Sequence, residues 1–169
     1  HFSDKNEAEL LEKLIGRREL GETQTAGFQI GVRKTLAAPA DDVWAVGSDS
    51  VSVRRMADRA WHEVDTGTTE SLYEIWGDAD DDVYAVGTNG TIIHFNEGAG
   101  EWSPMESGTG AFLNGIWGFD DEDITAVGFS PTTILHWDGT SWEPQSSPIA
   151  ATYYAVGGYY TIDDLYWWN

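Results

Sequence analysis

Three observations predict an all-β fold, a β-propeller built from four-stranded blades. The chain repeats itself at a spacing of about 40–41 residues. Each repeat carries four short apolar segments separated by Gly, Asn, Asp and Ser turns, the make-up of one blade. The content of 9 Trp, 7 Tyr and 19 Gly in 169 residues favours short strands and tight turns over helices.

The period is clearest in the second strand of each repeat, where an acidic pair precedes a four-residue strand and a Gly. It reads Asp41-Asp42-Val43-Trp44-Ala45-Val46-Gly47, then Asp81-Asp82-Val83-Tyr84-Ala85-Val86-Gly87, then Glu122-Asp123-Ile124-Thr125-Ala126-Val127-Gly128. A degenerate copy, Asp163-Asp164-Leu165-Tyr166-Trp167-Trp168-Asn169, closes the chain. Val43, Val83, Ile124 and Leu165 stand 40, 41 and 41 residues apart. These segments are apolar on both sides of the pleat and so require cover on both faces, which neighbouring blades provide.

The first strand is Leu72-Tyr73-Glu74-Ile75-Trp76-Gly77, returning as Leu113-Asn114-Gly115-Ile116-Trp117-Gly118, with Tyr154-Ala155-Val156-Gly157-Gly158 in the same register. The third is Thr91-Ile92-Ile93-His94-Phe95 and Thr133-Ile134-Leu135-His136-Trp137, matched more loosely by Val51-Ser52-Val53-Arg54-Arg55. The fourth carries Trp61, Trp102 and Trp142. Residues 28–66, 67–107 and 108–148 therefore form three full units, and 149–169 supply the first two strands of a fourth. The segment 1–27 stands apart. Apolar residues at 10, 11, 14 and 15 among good helix formers predict a short helix from Glu7 to Leu20, either outside the ring or contributing to its closure.

Composition narrows function. Nine Lys and Arg against 29 Asp and Glu give a net charge of −20, which a nucleic acid or an anionic membrane surface would repel. No apolar run approaches the roughly 20 residues of a membrane helix, so no membrane insertion is expected. The absence of Cys excludes disulfides, thiolate metal sites and cysteine nucleophiles.

The series IWG, DDVYAVG, GTIIHF and Asp138-Gly139-Thr140-Ser141-Trp142 resembles the tandem propeller repeats of secreted and surface-displayed bacterial proteins, grouped with Asp-box and WD-repeat-like propellers. The resemblance covers residues 32–169 and implies an extracellular or cell-surface setting. It implies architecture more than activity, because propellers host enzymes, lectins and docking platforms alike. The sialidase Asp box, Ser-x-Asp-x-Gly-x-x-Trp, is not met, since Asp138 and Gly139 are adjacent. The arginine cluster such an enzyme needs for a substrate carboxylate is lacking too: Arg17, Arg18, Arg33, Arg54, Arg55 and Arg59 all precede the well-formed second and third units.

The expected function is thus a non-catalytic binding or scaffold module, without cofactor, that docks a protein or a glycan. The alternative is a structural piece that associates with further copies, or with additional sequence, to complete a ring. Trp137 beside His136, Asp138 and Thr140 is the candidate ligand site, because an aromatic ring next to polar groups suits both the apolar face and the hydroxyl edge of a sugar. Asp78, Asp80 and Asp82 are weak calcium candidates; the glycine and closing glutamate of a calcium loop are missing, and turn acids more commonly accept backbone amides. Residues that break the repeat, among them Phe129, Trp137, Tyr159, Tyr160, Trp167 and Trp168, are better functional candidates than those recurring in every unit.

Overall fold

The computed structural model describes residues 29–32, as backbone alone, together with 43–77 and 82–158. The helix expected over Glu7–Leu20 lies outside these residues, as do Tyr159, Tyr160, Trp167 and Trp168. Among the described residues, twelve strands form three antiparallel sheets of four, each a meander in which sequence neighbours pair. Blade 1 comprises β1 (Gln29–Val32), β2 (Val43–Val46), β3 (Ser52–Arg55) and β4 (Trp61–Glu63). Blade 2 comprises β5 (Leu72–Gly77), β6 (Asp82–Gly87), β7 (Ile92–Asn96) and β8 (Glu101–Met105). Blade 3 comprises β9 (Phe112–Asp120), β10 (Asp123–Phe129), β11 (Thr133–Trp137) and β12 (Trp142–Pro144). The first strands β1, β5 and β9 are neighbours, so the blades stack face to face as in a propeller.

The two blade interfaces repeat residue for residue. Trp44 and Val46 of β2 enter an apolar socket on blade 2 made by Leu72, Ile75, Ala85, Ile93, Phe95 and Trp102. One period later Tyr84 and Val86 of β6 enter the matching socket of Leu113, Ile116, Ala126, Leu135, Trp137 and Trp142. Trp44 meets Phe95 at 4.6 Å and Trp102 at 5.3 Å between ring centroids, tilted and edge-on, the arrangements that aromatic quadrupoles prefer. The recurring Trp76 lies across Gly118, where an added β-carbon would stand 2.8 Å from the ring, so that glycine makes room for the indole.

The Gly that ends each second strand has a steric cause. Pairing in blades 2 and 3 slips between Leu72 and Glu74 and between Val127 and Gly128, a bulge that brings the first strand's carbonyl over the glycine. A β-carbon at Gly87 would run into the Ser71 carbonyl oxygen, and one at Gly128 into that of Phe112.

On the outer strands, Pro104 pairs with Ile93 and Pro144 with Leu135, while blade 1 has Glu63 opposite Val53. The amides of Val64 and Gln145 donate inward, to Ser52 and Ile134. The preceding residue of each strand therefore faces outward.

The segment Tyr154–Gly158, expected as a first strand of the fourth unit, forms no ladder; residues 151–158 are irregular. It does occupy the position of a next blade's first strand. A β-carbon on Gly115 would stand 3.0 Å from Ala155 Cα, and the Trp117 ring lies against Gly158 as Trp76 lies against Gly118. Its ladder partner by the repeat, 163–169, is outside the described residues.

Candidate functional site

The meander sorts the connections onto two ends. Turns between second and third strands, with the linkers between blades, gather at what we term the linker end. Turns within the other two hairpins gather at the hairpin end.

At the linker end, hydroxyl and backbone groups fasten each blade to the next. Thr66 Oγ donates to the Ser50 carbonyl at 3.2 Å, the Gly90 amide to the Ala111 carbonyl at 2.7 Å, and Thr132 Oγ to the Ala151 carbonyl at 2.6 Å. Gly90 has φ +69° and a β-carbon there would strike the Thr109 carbonyl, so only glycine fits beneath the linker. In blade 2 the junction is polar: the Ser71 amide donates to Thr88 Oγ at 3.2 Å, and the Thr88 amide to the Ser71 carbonyl at 2.9 Å.

In blade 3 these two positions hold Phe112 and Phe129, each 41 residues further on. Their rings stack at 5.4 Å with planes 14° apart, and Phe129 meets Tyr154 at 6.3 Å. Phe112 is 38% and Tyr154 74% exposed, so an aromatic surface stands in water where blade 2 has hydroxyl and carbonyl groups.

Preceding Phe112 in the chain, the linker 106–110 walls an open cavity of about 500 Å³, with Asn89, Gly90, Met105, Glu106 and Gly108 among its lining. No hydrogen bond or ion pair engages the exposed Glu106 carboxylate among the described residues. Asp49, Asp65 and Glu70 lie on the same end, and no Lys or Arg does among the described residues.

The hairpin end holds the residues singled out in the sequence. His136 Nε2 hydrogen-bonds Asp123 at 3.0 Å, and His94 Nε2 hydrogen-bonds Asp82 at 2.6 Å, each histidine served by the neighbouring strand of its own sheet. Asp82, a weak calcium candidate, is engaged in this way; Asp78 and Asp80 lie outside the described residues, among which no group of three or more His, Asp or Glu is placed to hold a metal. Arg54, in the register of the histidines, bridges blades 1 and 2 through Glu97 at 2.6 Å and lies over the Trp44 ring at 5.1 Å.

Trp137 is half-buried, packs against the core beside Trp142 at 5.6 Å, and donates its indole N–H to the Asp121 carbonyl at 2.9 Å. Asp138 Oδ1 accepts the amides of Thr140 and Ser141, both at 2.9 Å. Those amides, Ser141 first, hold the Asp138 carboxyl below its usual range. In the same way Asp58 is lowered by the Ala60 amide and then by His62. The four residues His136, Trp137, Asp138 and Thr140 thus share one turn, with the indole N–H and the Asp138 carboxylate engaged within the protein. Trp137→Ala is expected to lower unfolding stability by about 2–3 kcal/mol in urea titrations, since it empties part of a socket. A loss under about 0.5 kcal/mol would return the ring to the surface.

The repeat-breaking criterion singles out Phe129. Phe112 escaped it because it stands one residue before the recurring Leu113, and Tyr154 was assigned to a strand. Comparing Ser71 and Thr88 with the residues 41 positions on would have found the pair.

No protein-family model matches the chain, and no curated protein matches it. Among solved structures the chain is similar to one described as "YCF48 bound to D1 peptide", with TM-score 0.55 and 13% identity over 79% of this chain. The match spans 43% of that chain, less than half of its length. The likeness is one of fold, and agrees with the propeller blades.

Proposed function

We propose that this chain belongs to a non-catalytic β-propeller module that docks a protein segment on its linker end, outside the cell or on its surface. The observation that carries the reading is the replacement of the polar Ser71–Thr88 junction by the stacked pair of an exposed Phe112 and a half-buried Phe129. Neither ring is needed for blade closure, because blade 2 closes with hydroxyl and backbone hydrogen bonds at the same two places. Exposed clustered aromatics beside a concave surface are the usual composition of a binding hot spot. The solved structure to which the chain is similar has a peptide bound, by its description, which accords with a peptide ligand here.

The test transplants the blade 2 pair into blade 3. Phe112→Ser with Phe129→Thr is expected to fold with little change in Tm. A random dodecapeptide library panned on the wild type is expected to yield sequences that this double variant no longer binds. Panning that enriches nothing, or only sequences retained by the variant, would sink the reading. A glycan array in parallel examines the Trp137 turn. Glycan binding that Trp137→Ala removes while the fold survives would move the site to the hairpin end.

A further inference from the structure

Within that docking face, we infer that the linker end of blade 2 selects a cationic peptide, seating an Arg or Lys side chain in the cavity beside Glu106 and an adjoining apolar side chain on the Phe112–Phe129 stack. This inference rests on the proposed docking face and adds the chemistry of its occupant.

The cavity suits an amphipathic cation. Its wall includes Met105 and Pro104, against which a methylene stem packs, and Glu106 is among its lining residues. Nothing inside the described protein engages Glu106, so a guanidinium is able to take it in a two-pronged pair.

Charge complementarity favours the same occupant. The described linker end carries Asp49, Asp65, Glu70 and Glu106. The described cations Arg54, Arg55 and Arg59 all fall at the end of β3 or in the turn after it, toward the opposite end. With a net charge of −20 on the whole chain, a basic segment is drawn in and an acidic one repelled.

The floor favours a peptide backbone over a bulky ligand. A β-carbon on Gly67 or Gly108 would meet nothing within 4 Å, so these glycines leave open space for another chain. The same linker continues through Gly110 and Ala111 into Phe112, which places the aromatic stack within a few residues of Glu106 along the chain.

Three fluorescein-labelled decapeptides test this by anisotropy: GSGRLFRSGS, its acidic counterpart GSGELFESGS, and GSGRGGRSGS, which lacks the apolar pair. The first is expected to bind at least tenfold more tightly than either of the others. Glu106→Lys is expected to weaken it at least fivefold. Glu101→Lys, an equal charge change at the exposed start of β8 and the hairpin end, is expected to leave it within twofold. Gly110→Leu, at a position where a β-carbon meets only Asn89 Oδ1 at 3.7 Å, fills the mouth of the cavity and is expected to weaken binding without lowering Tm.

Equal affinity for the basic and acidic peptides, or equal losses with Glu106→Lys and Glu101→Lys, would overturn the inference. If both apolar peptides bind equally and both are lost in the Phe112→Ser, Phe129→Thr variant, the docking face stands and the cationic specificity falls. Binding by none of the three overturns it as well, and library panning then decides the docking face by itself.

Discussion

Gly87→Ala is expected to destabilise the protein by more than about 4 kcal/mol, a magnitude confined to a few mechanisms of which backbone collision is one. The added methyl has no free volume to enter, since it meets the carbonyl oxygen of Ser71 rather than a side chain that can rotate away. Relief requires β5 to withdraw from β6, which breaks the ladder after the bulge and loosens Leu72, 1% exposed and seated in the interface with blade 1. Gly128→Ala is expected to do the same through Phe112. Gly110→Ala is the control, because its β-carbon would find ordinary contact. Urea titration followed by circular dichroism reads all three; a Gly87→Ala loss below about 1 kcal/mol would mean that the first strand shifts freely and that the glycine is not sterically required.

Trp44→Ala carries the second large effect, about 3–5 kcal/mol, because it empties the socket at the junction of blades 1 and 2. Trp44 is 2% exposed, touches both Phe95 and Trp102, and lies under the Arg54 guanidinium. In a linear array, stability is the sum of unit and neighbour terms. Loss of this plug is therefore expected to let blade 1 unfold separately, seen as hydrogen-exchange protection lost in β2 and β3 before β10 and β11. Trp44→Tyr installs the residue that the next interface uses at the same place, and is expected to cost roughly half as much or less. A single cooperative transition in Trp44→Ala, with protection lost evenly in all blades, would count against the junction as the weak link.

The blade boundaries were legible because each rests on a pattern that local physics writes into the chain. The doubly covered second strand keeps Val-Trp-Ala-Val and its copies apolar except at Thr125, and in blades 2 and 3 the bulge above it forces the closing glycine. Units drawn at 28–66, 67–107 and 108–148 contain the sheets running 29–63, 72–105 and 112–144. The start of the fourth unit, Tyr154–Gly158, lies where a next blade's first strand would, against Gly115 and Trp117 of β9, but forms no ladder; its ladder partner by the repeat lies outside the described residues.

The site was legible only in part. Trp137 looked like a platform since its neighbours are polar, yet the period already placed it at Phe95, a socket residue, and the structure puts it there. His136, one of the candidate ligand residues, is paired to Asp123 on the neighbouring strand of its sheet, as His94 is to Asp82. The linker-end cavity had no motif of its own, because glycines and hydroxyl residues that line a hollow look in sequence like any turn.

The prolines on the outer strands have a consequence at the rim. Pro104 and Pro144 each remove one outward donor that β8 and β12 would show to a passing strand, whereas Glu63 in blade 1 still offers its amide. Growth by strand addition is thus hindered at two of the three described margins, while the third carries the exposed polar side chains of Glu63 and its neighbour His62. Fibril seeding, if this protein is driven to it, has its least obstructed seam on blade 1.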